Sequence, residues 1–221
     1  MKRILILAVV VAGFFVSACS KSEGDVSGLI NNEHLGNTVD AFEEVAGAPI
    51  QEHYGVRVYE HGGCEFKVHE AGGRVQAFSA PLNQACSFDL DDFLFPDEDY
   101  DFFDGAVFAD VGESLGGGLY YVDCLRSCGG AYDPAIRYHW NGPRALGFVE
   151  VMVSTEIVDD KAIEAADALS RVLVNLYGED WVIDAKFNCA PREILDEAEI
   201  ALGPVEVERI KIGYDVYQTG C

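Results

Sequence analysis

The chain has 221 residues, 38 acidic against 15 basic side chains and a formal net charge of −23, with 49% hydrophobic and 24% charged residues. This is a globular composition rather than a disordered one, and its acidity excludes a nucleic-acid binder, because phosphate contact needs a basic surface. The longest apolar run, 13 residues near the start, falls short of the roughly 20 that a spanning helix needs, which excludes a polytopic membrane protein.

That run, Ile4 to Val16, follows Lys2 and Arg3, the charged and apolar regions of a secretory signal. Val16-Ser17-Ala18-Cys19 comes next. It resembles the lipobox of bacterial lipoproteins, with an aliphatic residue, two small residues and the obligatory cysteine. The resemblance implies a diacylglycerol thioether on Cys19, removal of residues 1–18, and a further acyl chain on the freed amine. Two or three chains anchor stably where one does not. Ser20, where some lipoproteins carry Asp, implies sorting to the outer membrane with the protein facing the periplasm. The competing reading is an ordinary signal peptide that ends in alanine, with Cys19 incidental. Residues 19–35 are polar and Gly/Ser-rich and read as a lipidated flexible tether, about 50–58 Å long at full extension. Residues 36–221 then form the globular region, with 36–110 and 111–221 as candidate subdomains.

The first folded module begins at Leu35. Val39, Phe42, Val45 and Ala46 recur at helical spacing, Asn37 or Thr38 can cap the start, and Gly47 and Pro49 end the helix. Val56 to Glu60 reads as a strand. Cys64, Phe66 and Val68 alternate with Glu65 and Lys67 in a second, and Val75 to Phe78 form a third. Gly36, Thr38, Phe42, Gly47 and Pro49 follow the pattern G-x-T-x(3)-hydrophobic-x(4)-G-x-P. This resembles the SmpA/OmlA family, small outer-membrane lipoproteins of the β-barrel assembly machinery, and the related β-lactamase-inhibitor-protein-like fold. The resemblance covers only this first module. It implies helices packed on an antiparallel sheet and action by binding other proteins.

Residues 88–104 combine eight aspartates and glutamates with six aromatic rings and no lysine or arginine. Asp91, Asp92, Asp97, Asp99, Asp101, Phe95 and Tyr100 are the candidate partner contacts here, with rings as anchors and charge for steering toward a basic protein. The bland alternative is a loop whose acids face water and whose rings fill the core. Asp97, Asp99 and Asp101 also match the first ligand positions of a calcium loop, but Phe102 and Phe108 replace its required Gly and Glu.

Gly112-Glu113-Ser114-Leu115-Gly116 has the G-x-S-x-G form of a nucleophile elbow. The glycines that follow it predict a turn between strands, and His139 comes too soon to complete a triad. Further on, Phe148 to Val153 alternates as a strand. Asp159 or Asp160 caps a helix with Ala162, Ala166, Leu169, Leu173 and Leu176 on one stripe, closed by Gly178. Trp181, Ile183, Ala185 and Phe187 predict another strand, Ile194 to Leu202 a short helix, and Val205 to Tyr217 a last strand with a bulge or bend between Val207 and Ile210. The ending helix–Gly–Pro–strand–Cys221 echoes the first module.

Setting Cys19 aside leaves Cys64, Cys86, Cys124, Cys128, Cys189 and Cys221. An even number in an exported chain predicts disulfides, with 15 connectivities open. Neighbour pairing, Cys64–Cys86, Cys124–Cys128 and Cys189–Cys221, closes the shorter loops. Alternatives are bonding of Cys124 and Cys128 to Cys189 and Cys221, or zinc held by Cys64 with His61 and His69.

The expectation is a disulfide-stabilised α+β protein with helices packed on an antiparallel sheet, in a variant of two related helix-plus-meander modules. It is a protein-binding or envelope-assembly module, not an enzyme, attached to the membrane by its lipid, with no cofactor, no metal and no catalytic residue. The alternatives are a periplasmic enzyme inhibitor, a calcium-binding protein and, more remotely, a serine hydrolase using Ser114.

Overall fold

Thr38 opens helix α1 (Val39–Ala46) by accepting a hydrogen bond from the Ala41 N–H at 3.3 Å, and Gly47 closes it at a φ of 79°, where a side chain would be strained. The computed structural model describes residues 25–94, 105–129, 134–142, 148–219 and 221. After α1, strands β1 (Gln51–His53), β2 (Val56–His61), β3 (Cys64–Ala71) and β4 (Arg74–Pro81) form an antiparallel meander. A second helix, α2 (Phe108–Leu115), leads into a second meander of β5 (Leu119–Val122), β6 (Ala135–Trp140) and β7 (Glu150–Glu156). Helices α3 (Asp160–Tyr177), α4 (Glu179–Ile183) and α5 (Leu195–Leu202) follow, then strand β8 (Arg209–Gly213).

The strands make one sheet of eight in the order β1-β2-β3-β4-β8-β7-β6-β5, antiparallel throughout. The α+β expectation holds, and the helix-then-meander pattern occurs twice. β8 lies between the two meanders and pairs with both, aligning Phe78, Ile212 and Val151 in one row. That row belongs to the face covered by the helices. Phe66, Phe78, Ile136, Tyr138, Trp140 and Ile210 point into it and are at most 3% exposed. Phe42 of α1 meets Tyr59 edge-on at 5.3 Å, and Leu169 and Leu173 of α3 are fully buried in the same continuous core. At the β5 edge, the Asn188 amide imitates a neighbouring strand: it donates to the Val122 carbonyl at 2.8 Å and accepts from the Val122 N–H at 3.1 Å. One residue of that sheet edge is thereby paired.

Five expectations need correction. The described part of the expected tether, residues 25–35, is folded: Val26 and Ile30 are buried, and the Val26 N–H donates to the Ser87 carbonyl at 2.8 Å. Its few apolar residues are spaced to meet the core while the residues between them stay polar. Gly112 to Leu115 is the last stretch of α2 rather than a turn, because Phe108, Val111 and Leu115 bury one helical stripe and Gly116 caps it in the left-handed region. The expected strand at 181–187 is α4 and a 3-10 turn, in which Val182 and Phe187 are buried and Ile183 is exposed. The expected last strand is β8 alone. Val205 and Val207 instead bond to residues 106–108 before the chain enters the sheet, which accounts for the change of apolar phase. The alternative subdomain boundary at 110/111 falls inside α2.

The structure pairs Cys64 with Cys86, Cys124 with Cys128 and Cys189 with Cys221, the neighbour pattern. Loop entropy makes the first and third worth about 3–4 kcal/mol each and the tight Cys124–Cys128 loop about 2. We expect serine replacement of each pair to lower stability in that order in urea denaturation; equal losses would contradict the loop-length account. Gly213, at the end of β8, has a φ of 147°, and a Cβ there would sit 2.4 Å from the Gln76 carbonyl oxygen and 2.5 Å from the Ala77 Cα. Gly213→Ala should cost roughly 2–4 kcal/mol, read as a lowered urea midpoint; parental stability would show that the seam accommodates a side chain.

Candidate functional site

Alternation on the strands puts apolar side chains toward the helices and leaves their neighbours on the opposite, uncovered face. Register then sets those neighbours side by side. Lys67, Ser79, Lys211, Met152 and His139 form a row across β3, β4, β8, β7 and β6. Two residues along, Arg209, Ser154, Arg137 and Tyr121 form the next row across β8, β7, β6 and β5. Between these rows lies an open cleft of about 660 Å³ whose walls carry Lys67, Arg137, Arg209 and Lys211.

The segment after β8 bounds the cleft on one side. The Val216 N–H donates to Glu150 Oε2 at 3.1 Å, and Lys211 Nζ donates to the Val216 carbonyl at 3.0 Å. Tyr217 packs on Tyr121 with ring centroids 4.6 Å apart and lies 5.8 Å from the Arg137 guanidinium. Cys221 is bonded to Cys189 beside the β5 edge. The terminal segment therefore crosses the face from Lys211 and Glu150 to Tyr121, and the cleft beside it is lined from β3, β4, β6, β7 and β8.

The cleft's electrostatics are unusual for so acidic a chain. Arg137 is paired with Asp123, and Glu150 accepts from His139 at 3.0 Å as well as from Val216. Among the described residues, no carboxylate lies within 4.0 Å of Lys67, Arg209 or Lys211. Burial, and then Arg137, push the Lys211 ammonium below its ordinary pKa, against the pull of Glu150. His69 Nε2 lies 2.9 Å from Ser79 Oγ. Burial, with Lys211 and Lys67 alongside, pushes that imidazole down to about 4, so it is neutral at physiological pH. A hydroxyl beside an imidazole suggests nucleophile and base. However, so weak a base takes no proton near pH 7, and no described carboxylate hydrogen-bonds the second ring nitrogen. The pair is a set of neutral polar groups lying between cations.

Of the residues singled out from sequence, Asp91 and Asp92 are exposed beside buried Leu90, Phe93 and Leu94. Phe93 packs against Phe78 on the covered face, so Asp91 and Asp92 lie on the helix side, away from the cleft. Asp97, Asp99, Asp101, Phe95 and Tyr100 lie outside the described residues, as does Cys19. Ser114 sits on α2, where Gly112 adjoins the Tyr138 hydroxyl on the covered face; His139 points the other way, so the sheet separates the two. Cys64 is committed to Cys86, His61 contacts the Ala46 carbonyl at 2.8 Å, and His69 lies on the opposite face of β3; the suggested zinc ligands do not converge. The cleft residues themselves carry a sequence signal: lysine, arginine and histidine at the polar phase of alternating strands. Their convergence depends on pairings between distant strands.

Comparison with family models, curated proteins and solved structures found no match to this chain.

The low His69 pKa has a consequence for stability. An unfolded imidazole near 6.5 takes up its proton at higher pH than the folded one, so acid favours unfolding. This contribution is absent above pH 6.5, grows as the pH falls to about 4, and totals about 3 kcal/mol. His69→Gln should remove that share of the acid-induced loss, measured as the difference between wild-type and variant urea stabilities at pH 7 and pH 4.5; parallel curves would refute the assignment.

Proposed function

We propose that this protein is an outer-membrane lipoprotein facing the periplasm that acts as a protein-binding or envelope-assembly module, with the uncovered face of its sheet as the contact surface. The observation that carries this reading is the cleft itself: a broad sheet face that no described helix covers, on which half-buried Lys67 and Lys211 have no carboxylate partner among the described residues. Groups of this kind are costly to bury without compensation, and a partner's polar groups would supply it.

The lipobox residues around Cys19 support the anchoring, and three disulfides suit an oxidising compartment. With folding established by Asp25, the six residues from Cys19 reach about 20 Å at most, so a lipid on Cys19 would hold the body close to the headgroups. The helix-then-meander pattern, present twice on one sheet, supports the likeness to SmpA/OmlA and β-lactamase-inhibitor-protein-like modules, and with it action by contact rather than by chemistry. Docking of a basic protein on Asp91 and Asp92 would be a separate contact on the helix side; the other residues of that reading, from Phe95 to Asp101, lie outside the described residues.

The anchoring reading predicts palmitate incorporation in the wild type and a soluble periplasmic product from Cys19→Ala, assayed by metabolic labelling and fractionation; a bare thiol on a soluble wild-type chain would sink it. The contact reading predicts that a photocrosslinker at Ser154, on the open face, captures one discrete protein in intact envelopes, while one at Arg171 on α3 does not. Capture from α3 alone would move the interface to the helices.

A further inference from the structure

We propose that the cleft recognises an acidic polypeptide segment, whose carboxylates sit over Ser79 between Lys67 and Lys211 and alongside Arg209. This inference rests on the open face being the contact surface and adds the chemistry of what it contacts.

Charge distribution is the first argument. The chain has 38 acidic and 15 basic residues, so basic side chains are scarce among many acids. Outside the cleft, Arg57 has three carboxylates within 3.2 Å, Arg126 and Lys186 have one each, and the cations without an ion pair among the described residues, Arg74, Lys161, Arg171 and Arg192, are exposed to water. Yet four of the eleven described lysines and arginines gather on one cleft. Two carboxylates share its walls: Asp123, which Arg137 occupies, and Glu156, which lies on neither cation row. Lys211 is the sharpest case. It is half-buried, its only described hydrogen bond goes to a carbonyl, and Arg137 repels it. Glu150 attracts it but forms no ion pair with it within 4.0 Å, its Oε2 being held by His139 and Val216. A carboxylate arriving from outside would complete the arrangement.

Spacing is the second argument. Lys67 and Lys211 stand two strands apart across Ser79, roughly 9–10 Å at the backbone. Arg209 lies two residues from Lys211, roughly 7 Å. A single small anion meets one such gap. An extended segment with acidic residues two or three positions apart meets them together, with Ser79 and Ser154 hydroxyls between and Met152 and Val216 as apolar wall. A nucleic acid would meet the same cations, but the chain's −23 charge repels a polyanion far more than a segment with a few carboxylates.

That same charge gives the proposal an unusual signature. An acidic partner is repelled at long range and attracted only within the cleft. Screening should therefore speed its association, the reverse of what salt does to a basic partner.

The test uses a blocked nonapeptide with glutamate at every third position and alanine between, its glutamine counterpart, a lysine counterpart and inorganic phosphate, each titrated calorimetrically against the mature protein. The expected result is measurable binding of the glutamate peptide, at least tenfold weaker for the glutamine peptide. Lys211→Met should weaken it about tenfold and Lys67→Met about threefold, with Arg171→Gln on α3 unchanged. By surface plasmon resonance, the association rate should hold or rise between 20 and about 150 mM salt. Equal binding of glutamate and glutamine peptides, preference for the lysine peptide, or indifference to both lysine variants would overturn the proposal. So would phosphate binding that matches the peptide, since the cleft would then be a small-anion site. If Ser154 crosslinks a protein in envelopes while the glutamate peptide does not bind, the contact face stands and the acidic-partner inference falls. If the peptide binds and Ser154 captures nothing, the failure belongs to the envelope role.

Discussion

The hydrogen-bonded seam made by β8 is the constraint on which the rest depends. Without it the molecule has two meanders, each with an open edge. With it, β4 and β7 become interior strands and the two halves share one core through Phe78, Ile212 and Val151. The same five residues, Arg209–Gly213, place Arg209 and Lys211 on the uncovered face and deliver the terminal strap. One short strand thus fixes the sheet, the charge of the cleft and one of its walls. Because a one-residue slip would exchange the two faces of a strand, the buried isoleucines of β8 also hold its two cations in position.

Much of the fold was legible in local pattern. Thr38 and Gly47 marked α1, Asp159 and Gly178 marked α3, and the alternation of Cys64, Phe66 and Val68 marked β3 and assigned Lys67 to the other face. The alternation of Ile136, Tyr138 and Trp140 around Arg137 and His139 carries the same signal for β6. Misreadings came where two periods compete over a short span. Residues 181–187 alternate, but Gly178 and local hydrogen bonds make them helical. Glycines after Leu115 suggested a turn, although Phe108, Val111 and Leu115 define a helical stripe. The cleft was not legible, because Ser79 and Lys211 meet only through pairing of strands more than a hundred residues apart, and no local pattern encodes that.

The two faces of the sheet divide the chemistry. The covered face is an aromatic core in which burial pushes the Tyr59 and Tyr138 hydroxyls up to about 12, out of the range in which they ionise. The open face collects cations, neutral hydroxyls and an imidazole that burial keeps uncharged. The carboxylates near that face are held by other groups or stand off the cation rows: Asp123 by Arg137, Glu150 by His139 and Val216, with Glu156 at the margin. A strongly negative exterior around one positive cleft suits discrimination more than capture: most acidic molecules are repelled before contact, and only a ligand whose shape reaches the cations recovers the cost.

The position of β8 in the chain also bears on how the protein is made. A ribosome, or any channel that delivers the polypeptide amino end first, releases β4 and β7 well before the strand that joins them. For that interval each half presents an unpaired edge of the kind that recruits stray strands, and closing the gap requires a contact of long sequence separation, a slow step. The protein therefore completes itself late. Until β8 docks, the nascent form has two more open edges to shield than the finished sheet does.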